Sequence, residues 1–178
     1  MPTSVAPAAP AAILRTGRWR LDPDRSSVEF RVPHLFGLIT VTGRFRRFEG
    51  VLDSRDPLAR TITLSADPAS LDTGNARRDA HLRSDDFFGT DRHPRLWFVS
   101  AAVALADGRM TADGELHAAG HHVRVTAEAT LEERDGEVEI AATALVDQRT
   151  LGMTWSPLGA VRTPAELIVR GRLVRDDD

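Results

Sequence analysis

The segment Val123–Val146, VRVTAEATLEERDGEVEIAATALV, decides the fold. Val123, Val125, Ala127, Ala129 and Leu131 recur at every second position, and Asp135-Gly136 follows. Val138, Ile140, Ala142, Ala144 and Val146 then resume the same period. A period of two is that of a half-buried strand, and Asp-Gly between two such runs is a hairpin turn signal. The segment is therefore a β-hairpin with one apolar face, and much of that face is alanine.

The pattern continues in both directions. Toward the C-terminus, Gln148 to Gly159 is irregular and holds Trp155, and Pro164–Arg175 reads as a closing strand with Leu167 and Val169. Toward the N-terminus, Arg109–His117 and Leu96–Ala104 form a second hairpin around Asp107-Gly108. Arg60–Ala66 places Ile62 and Leu64 on one face. Leu38–Phe45 carries Val41, Gly43 and Phe45 on one side, and the phase slips at Arg46-Arg47 so that Phe48 takes over, as a β-bulge would produce. Ser27–Val32 sets Val28, Phe30 and Val32 together. Trp19–Asp24 gives a short alternation and a turn. The sum is an all-β chain of about eight to ten strands with short turns, a sandwich or a closed barrel. Ala102, Ala112, Gly114, Ala127, Ala129, Ala142 and Ala144 read as inward and small. A barrel so lined has room for a slender ligand.

One stretch breaks the alternation: Ala69–Phe98, ASLDTGNARRDAHLRSDDFFGTDRHPRLWF. Asn75 is placed to cap a helix over Ala76–Arg83, and Ser84 a further turn over Asp85–Phe88. The stretch gathers Arg, Asp and His between strands, so it reads as a lid, a plug or an active-site loop. Arg78, Asp79, Arg83 and Asp86 read as ion pairs and anchors, in preference to an acid/base pair, because no nucleophile or oxyanion motif accompanies them.

Composition removes several function classes. The 178 residues contain no Cys, Lys or Tyr, which excludes disulfides, thiolate chemistry and Schiff-base lysines. A net charge of −3 argues against a nucleic-acid grip. The six histidines have no metal-ligand spacing such as HxH or HExxH, so no metal site is expected. Residues 1–16 are an Ala/Pro-rich tail, read as disordered; Pro2, Pro7 and Pro10 interrupt any signal-peptide core. No apolar run is long enough for a membrane helix. A cytoplasmic location is expected, with one domain over 17–176.

The chain resembles the YceI-like family. The resemblance is carried by Trp19-Arg20-Leu21-Asp22-Pro23, Ser27 to Val32, Gly43-Arg44-Phe45 with Phe48-Glu49-Gly50, and most specifically Ser70 to Asn75, Arg78-Asp79, His81 to Ser84, Asp86-Phe87-Phe88 and His93-Pro94. It implies an antiparallel, lipocalin-like barrel with a helical segment around 75–88. Its pore would bind a long apolar chain, a polyisoprenoid or isoprenoid quinone, for storage or transport, without catalytic residues or a cofactor. Candidate pore or mouth residues are Val28, Phe30, Val32, Val41, Phe45, Phe48, Ile62, Leu64, Phe87, Phe88, Leu96, Phe98, Val125, Ile140, Trp155, Leu167 and Val169. Arg78, Asp79, His81, Arg83 and Asp86 would anchor the cap, with Phe87 and Phe88 turned inward over the pore. No nucleic-acid partner and no stable membrane insertion are expected, and a homodimer is permitted. Two other readings stay open: an enzyme with Asp79, His81, Asp86 or His93 acting on an apolar substrate, and a stress-related interaction protein with a filled interior.

Overall fold

The structure, a computed structural model, describes residues 14–34, 39–134, 137–153 and 164–176. Eleven strands and one α-helix follow in order: β1 (Arg18–Leu21), β2 (Ser27–His34), β3 (Ile39–Phe45), β4 (Phe48–Asp53), β5 (Thr61–Ala66), β6 (Leu71–Asp72), α1 (Ala76–Arg83), β7 (Leu96–Ala106), β8 (Arg109–Ala118), β9 (His121–Arg134), β10 (Glu137–Val146) and β11 (Ala165–Arg175).

All pairings among these strands are antiparallel. The order β1-β4-β5-β7-β8-β9-β10-β11 returns to β1, which closes an eight-stranded barrel. Closure removes the free sheet edges on which chains aggregate. β2, β3 and β6 extend the sheet from β11 at one end.

The extra strands are continuations. β1 and β2 lie end to end along β11, split by a 3-10 turn at Pro23–Arg25. Asp22 caps that turn through the Asp24 N–H. Gly171 lies opposite the break, where an added Cβ would fall 1.9 Å from Ser26 Oγ. A glycine is therefore required for the strand to bend past its neighbour. β3 and β4 are likewise one strand broken at Arg46-Arg47, each half pairing with the matching half of the first. The phase slip seen in the sequence is this corner.

The core runs through the barrel from Trp19, Leu131 and Val138 at one end to Phe30, Leu71 and Phe88 at the other. Two expectations change here. Ala102 is exposed, because the β7–β8 register shifts between Ser100 and Ala102 and inserts one residue. Residues 85–88 form turns in place of helix: Ser84 is the C-cap of α1, and its carbonyl accepts from the Phe87 and Gly89 N–H groups. Leu14 also packs on the core, and the Arg15 carbonyl accepts from Trp19 Nε1 at 3.0 Å.

Candidate functional site

The barrel encloses a hollow of about 120 Å³. Its wall is apolar apart from Thr63 and Thr143. The register explains the space. Ala112, Ala127 and Ala144 lie side by side across β8, β9 and β10, and Met110, Ala129 and Ala142 form the next row. Alanine at these inward positions leaves the middle of the barrel unfilled on that side. Larger chains, including Leu52, Ile62, Leu64 and Phe98, form the opposite wall. Ile140, Leu167 and Val169 also line the hollow and are only half-buried, because the space beside them is empty.

Of the residues expected to line a pore, Val28, Phe45, Ile62, Leu64, Leu96, Phe98, Val125, Ile140, Leu167 and Val169 line the hollow. Phe30 and Phe88 do not line it but pack with Phe45 at its helix end. The three ring centroids are 5.5, 5.9 and 6.3 Å apart, with Phe88 edge-on to Phe45. Phe30 fits because Gly43 has no side chain: a Cβ there would be 2.3 Å from Phe30 Cζ. Val32 and Phe48 are half-buried against the core away from the hollow, and Val41 is half-buried opposite Val32. Trp155 lies outside the described residues.

Phe87 does not turn inward. It is half-buried and meets the His81 ring edge-on at 5.1 Å. The turn after α1 sets this difference: the Phe88 N–H donates to the Leu82 carbonyl and carries Phe88 under the helix, leaving its neighbour outside.

The anchors work through neutral groups more than through ion pairs. Asn75 Oδ1 accepts from the Arg78 N–H and caps α1 as expected. Asp79 is buried and accepts from the Thr73 N–H at 3.0 Å and Thr73 Oγ1 at 2.6 Å. Arg78 donates to Thr73 Oγ1 and to the Thr73 carbonyl. Arg83 donates to the Ala69 and Leu71 carbonyls at 3.0 and 2.7 Å. The expected Arg78–Asp79 and Arg83–Asp86 pairs are not formed, because Arg78, Asp79 and Arg83 bond instead to Thr73, Ala69 and Leu71, in and beside β6. Asp86 instead lies 3.5 Å from His81 Nε2 at the surface. α1 is thus tied to the strand end that it follows, and Phe88 packs on Phe30 of β2 and Phe45 of β3.

Leu21, Gly50, Leu52, Met110, Leu116 and Leu173 also line the hollow and were not singled out as pore residues. The signal for the last three was present: Met110 and Leu116 share a period-two face with Ala112 and Gly114, and Leu173 continues that of Leu167 and Val169. Among the described residues no group of three or more His, Asp or Glu side chains gathers as a metal site.

A family profile described as the YceI-like domain matches residues 19–173. Protein YceI of Shigella flexneri is 36% identical over 106 residues, 58% of this chain and 55% of that protein. The UPF0312 protein of Staphylococcus epidermidis is 35% identical over 104 residues, 56% of this chain and 60% of that protein. The matched stretch spans somewhat over half the length of these relatives. Among solved structures, BcnA of Burkholderia cenocepacia superposes with a TM-score of 0.77 at 18% identity, covering 86% of this chain and 99% of that one. A polyisoprenoid binding domain from Saccharophagus degradans gives 0.66 at 13% identity, covering 90% and 99%. At such identities the structural likeness speaks for the fold, whereas the profile spans nearly the whole barrel. The chain belongs to the YceI-like domain family.

Proposed function

We propose that the barrel binds a long apolar chain, a polyisoprenoid or an isoprenoid quinone, as a carrier or store and without catalysis. The observation that carries this is the hollow, whose apolar wall is reduced to alanine along β8–β10. Unfilled apolar volume lowers stability, roughly 24 cal/mol per Å³ in the reference series, so an occupant that fills it is favoured. Burial alone drives such binding, at roughly 25 cal/mol per Å² of apolar surface, and needs no polar motif. Membership of the YceI-like family and the polyisoprenoid binding domain among the structural neighbours support the ligand class. Asp79, His81, Asp86 and His93, the acid/base candidates, are all absent from the wall of the hollow, and Asp79 is committed to Thr73.

Size adds a condition. An engineered apolar cavity of roughly 150 Å³ accepts benzene, and the present hollow is about 120 Å³. A long chain therefore needs the aromatic trio at the helix end displaced, with Phe88 as the member carried by a turn and not a strand. The direct test is organic extraction of gently purified protein followed by mass spectrometry. A prenyl lipid or quinone in stoichiometric amount is expected. A protein that is empty and takes up neither added polyprenyl lipid nor quinone would refute the reading.

A further inference from the structure

Four of the six histidines gather in a second cleft, on the outer wall of the barrel and back to back with the hollow. Trp97, His117 and His122 are in direct cross-strand register on β7, β8 and β9. They alternate with Leu96, Phe98 and Leu116, which line the hollow from the other face. The Trp97 and His117 rings stack at 4.7 Å with 6° between their planes, and His117 and His122 at 5.5 Å and 29°. His93 and His121 close the cleft at the rim. A Cβ on Gly120 would come within 2.7 Å of His93 Cε1, and one on Gly152 within 2.8 Å of His121 Nε2. The imidazoles thus occupy space that the two glycines leave. Arg92 and Arg95 stand on the lip. Arg92 is held by Asp85 at 3.1 Å, whereas Arg95 forms no ion pair among the described residues.

We propose that this cleft, of about 380 Å³, binds a phosphate-type oxyanion, phosphate or diphosphate. The proposal does not rest on the hollow being occupied. Several features favour an anion. His117 is fixed in the cleft by the face of Trp97, on which it stacks, and by Glu115, whose Oε2 lies 3.5 Å from His117 Nε2. Arg124 stands opposite Glu115 in the β8–β9 ladder. Four imidazoles and the guanidinium groups of Arg92 and Arg95 line the cleft and no carboxylate is among the lining residues, so the wall offers hydrogen-bond donors and positive charge to an anion. A metal is disfavoured, because rings stacked face to face do not aim their nitrogens at a common centre. The oxyanion has two sources with the same chemistry: a free phosphate or diphosphate, or the headgroup of an amphiphile.

The full chain titrated with inorganic diphosphate, by calorimetry at pH 6 and pH 8, tests the site. Binding is expected at pH 6 and at least tenfold weaker at pH 8, since histidine as a residue type gains its charge in this range. A metal site gives the opposite trend, because protons compete for the imidazole nitrogens. His117→Gln combined with His122→Gln should weaken binding at least tenfold without moving the melting temperature, and Arg95→Gln should weaken it less. Geranylgeranyl diphosphate binding more than tenfold tighter than inorganic diphosphate, and losing that advantage in the double variant, assigns the headgroup source. Equal affinity assigns the free anion, and either result supports the cleft. Absence of diphosphate binding at pH 6, full binding by the double variant, or a reversed pH trend overturns it. Each of these leaves the lipid content of the hollow, measured by extraction, as a separate result.

Discussion

Gly114 shows how much one missing side chain can decide. A Cβ there would lie 2.3 Å from the Val99 carbonyl oxygen and 2.7 Å from the Phe98 ring. The carbonyl belongs to a paired strand and cannot retreat, so Gly114→Ala is expected to destabilise by about 1–3 kcal/mol or more through overpacking. Urea unfolding measures it, and a loss below about 0.5 kcal/mol would mean that the barrel relaxes. Charge acts at the same scale. Arg55 donates to Asp53 from its side chain and its N–H, and holds that carboxyl at about 2 against 3.8. Asp22, Asp72, Glu137 and Asp147 are lowered too, chiefly by hydrogen bonds from Arg25, the Gly74 N–H, Arg25 and Arg149. A carboxyl lowered in the folded state contributes fully above its unfolded value and loses that contribution as pH falls through the folded one. Unfolding free energy should therefore decline between about pH 4 and pH 2, with a shallower slope in Asp53→Asn. Equal slopes would place the acid sensitivity elsewhere.

At the scale of elements, α1 and its exit turn separate two adjacent phenylalanines. Phe88→Ala should cost about 3–5 kcal/mol and extend the hollow toward the helix end, so that a polyprenyl probe enters faster. Phe87→Ala should cost a fraction of that and leave uptake unchanged. Stopped-flow fluorescence with a labelled prenol distinguishes them, and equal rates would remove Phe88 from the path. The helix itself was legible: Asn75 as cap and the span to Arg83 follow from capping chemistry alone. Which phenylalanine points inward was not, because it depends on a hydrogen bond back to Leu82 that no periodicity records. The strands were legible wherever period two was unbroken, as on β9 and β10. The alternation failed at Ala102, where one inserted residue reverses every later assignment on that strand. The partners of Asp79 and Arg83 were hidden for a similar reason: backbone acceptors such as the Leu71 carbonyl leave no mark in composition.

For the whole molecule, barrel closure rests on β1 meeting β11, more than 150 residues apart in sequence. Local patterns do not encode that contact, so sandwich and barrel stayed equivalent until family resemblance separated them. The alanine rows were visible as small residues, but the hollow follows only when cross-strand register stacks them. Ala142→Leu tests that volume. It should abolish retention of an extracted lipid, while the melting temperature of the empty protein holds or rises as the cavity fills. Unchanged lipid content would show that the ligand lies elsewhere.

Closure also fixes where the chain leaves the barrel. Arg18 and Asp176 are joined by a 3.0 Å ion pair, and the Asp176 N–H donates to the Arg18 carbonyl. Both lie at the end of the barrel opposite α1. Anything attached directly beside Arg18 or Asp176, whether a fusion partner, an affinity handle or an immobilising surface, starts from the end of the barrel away from the helix. A sensor that couples the protein to an electrode or a bead through positions beside Arg18 and Asp176 should keep the helix end facing solution. Joining Leu14 to Asp176 by a linker and opening the chain at the Arg55–Ala59 turn should likewise give a permuted barrel that still folds.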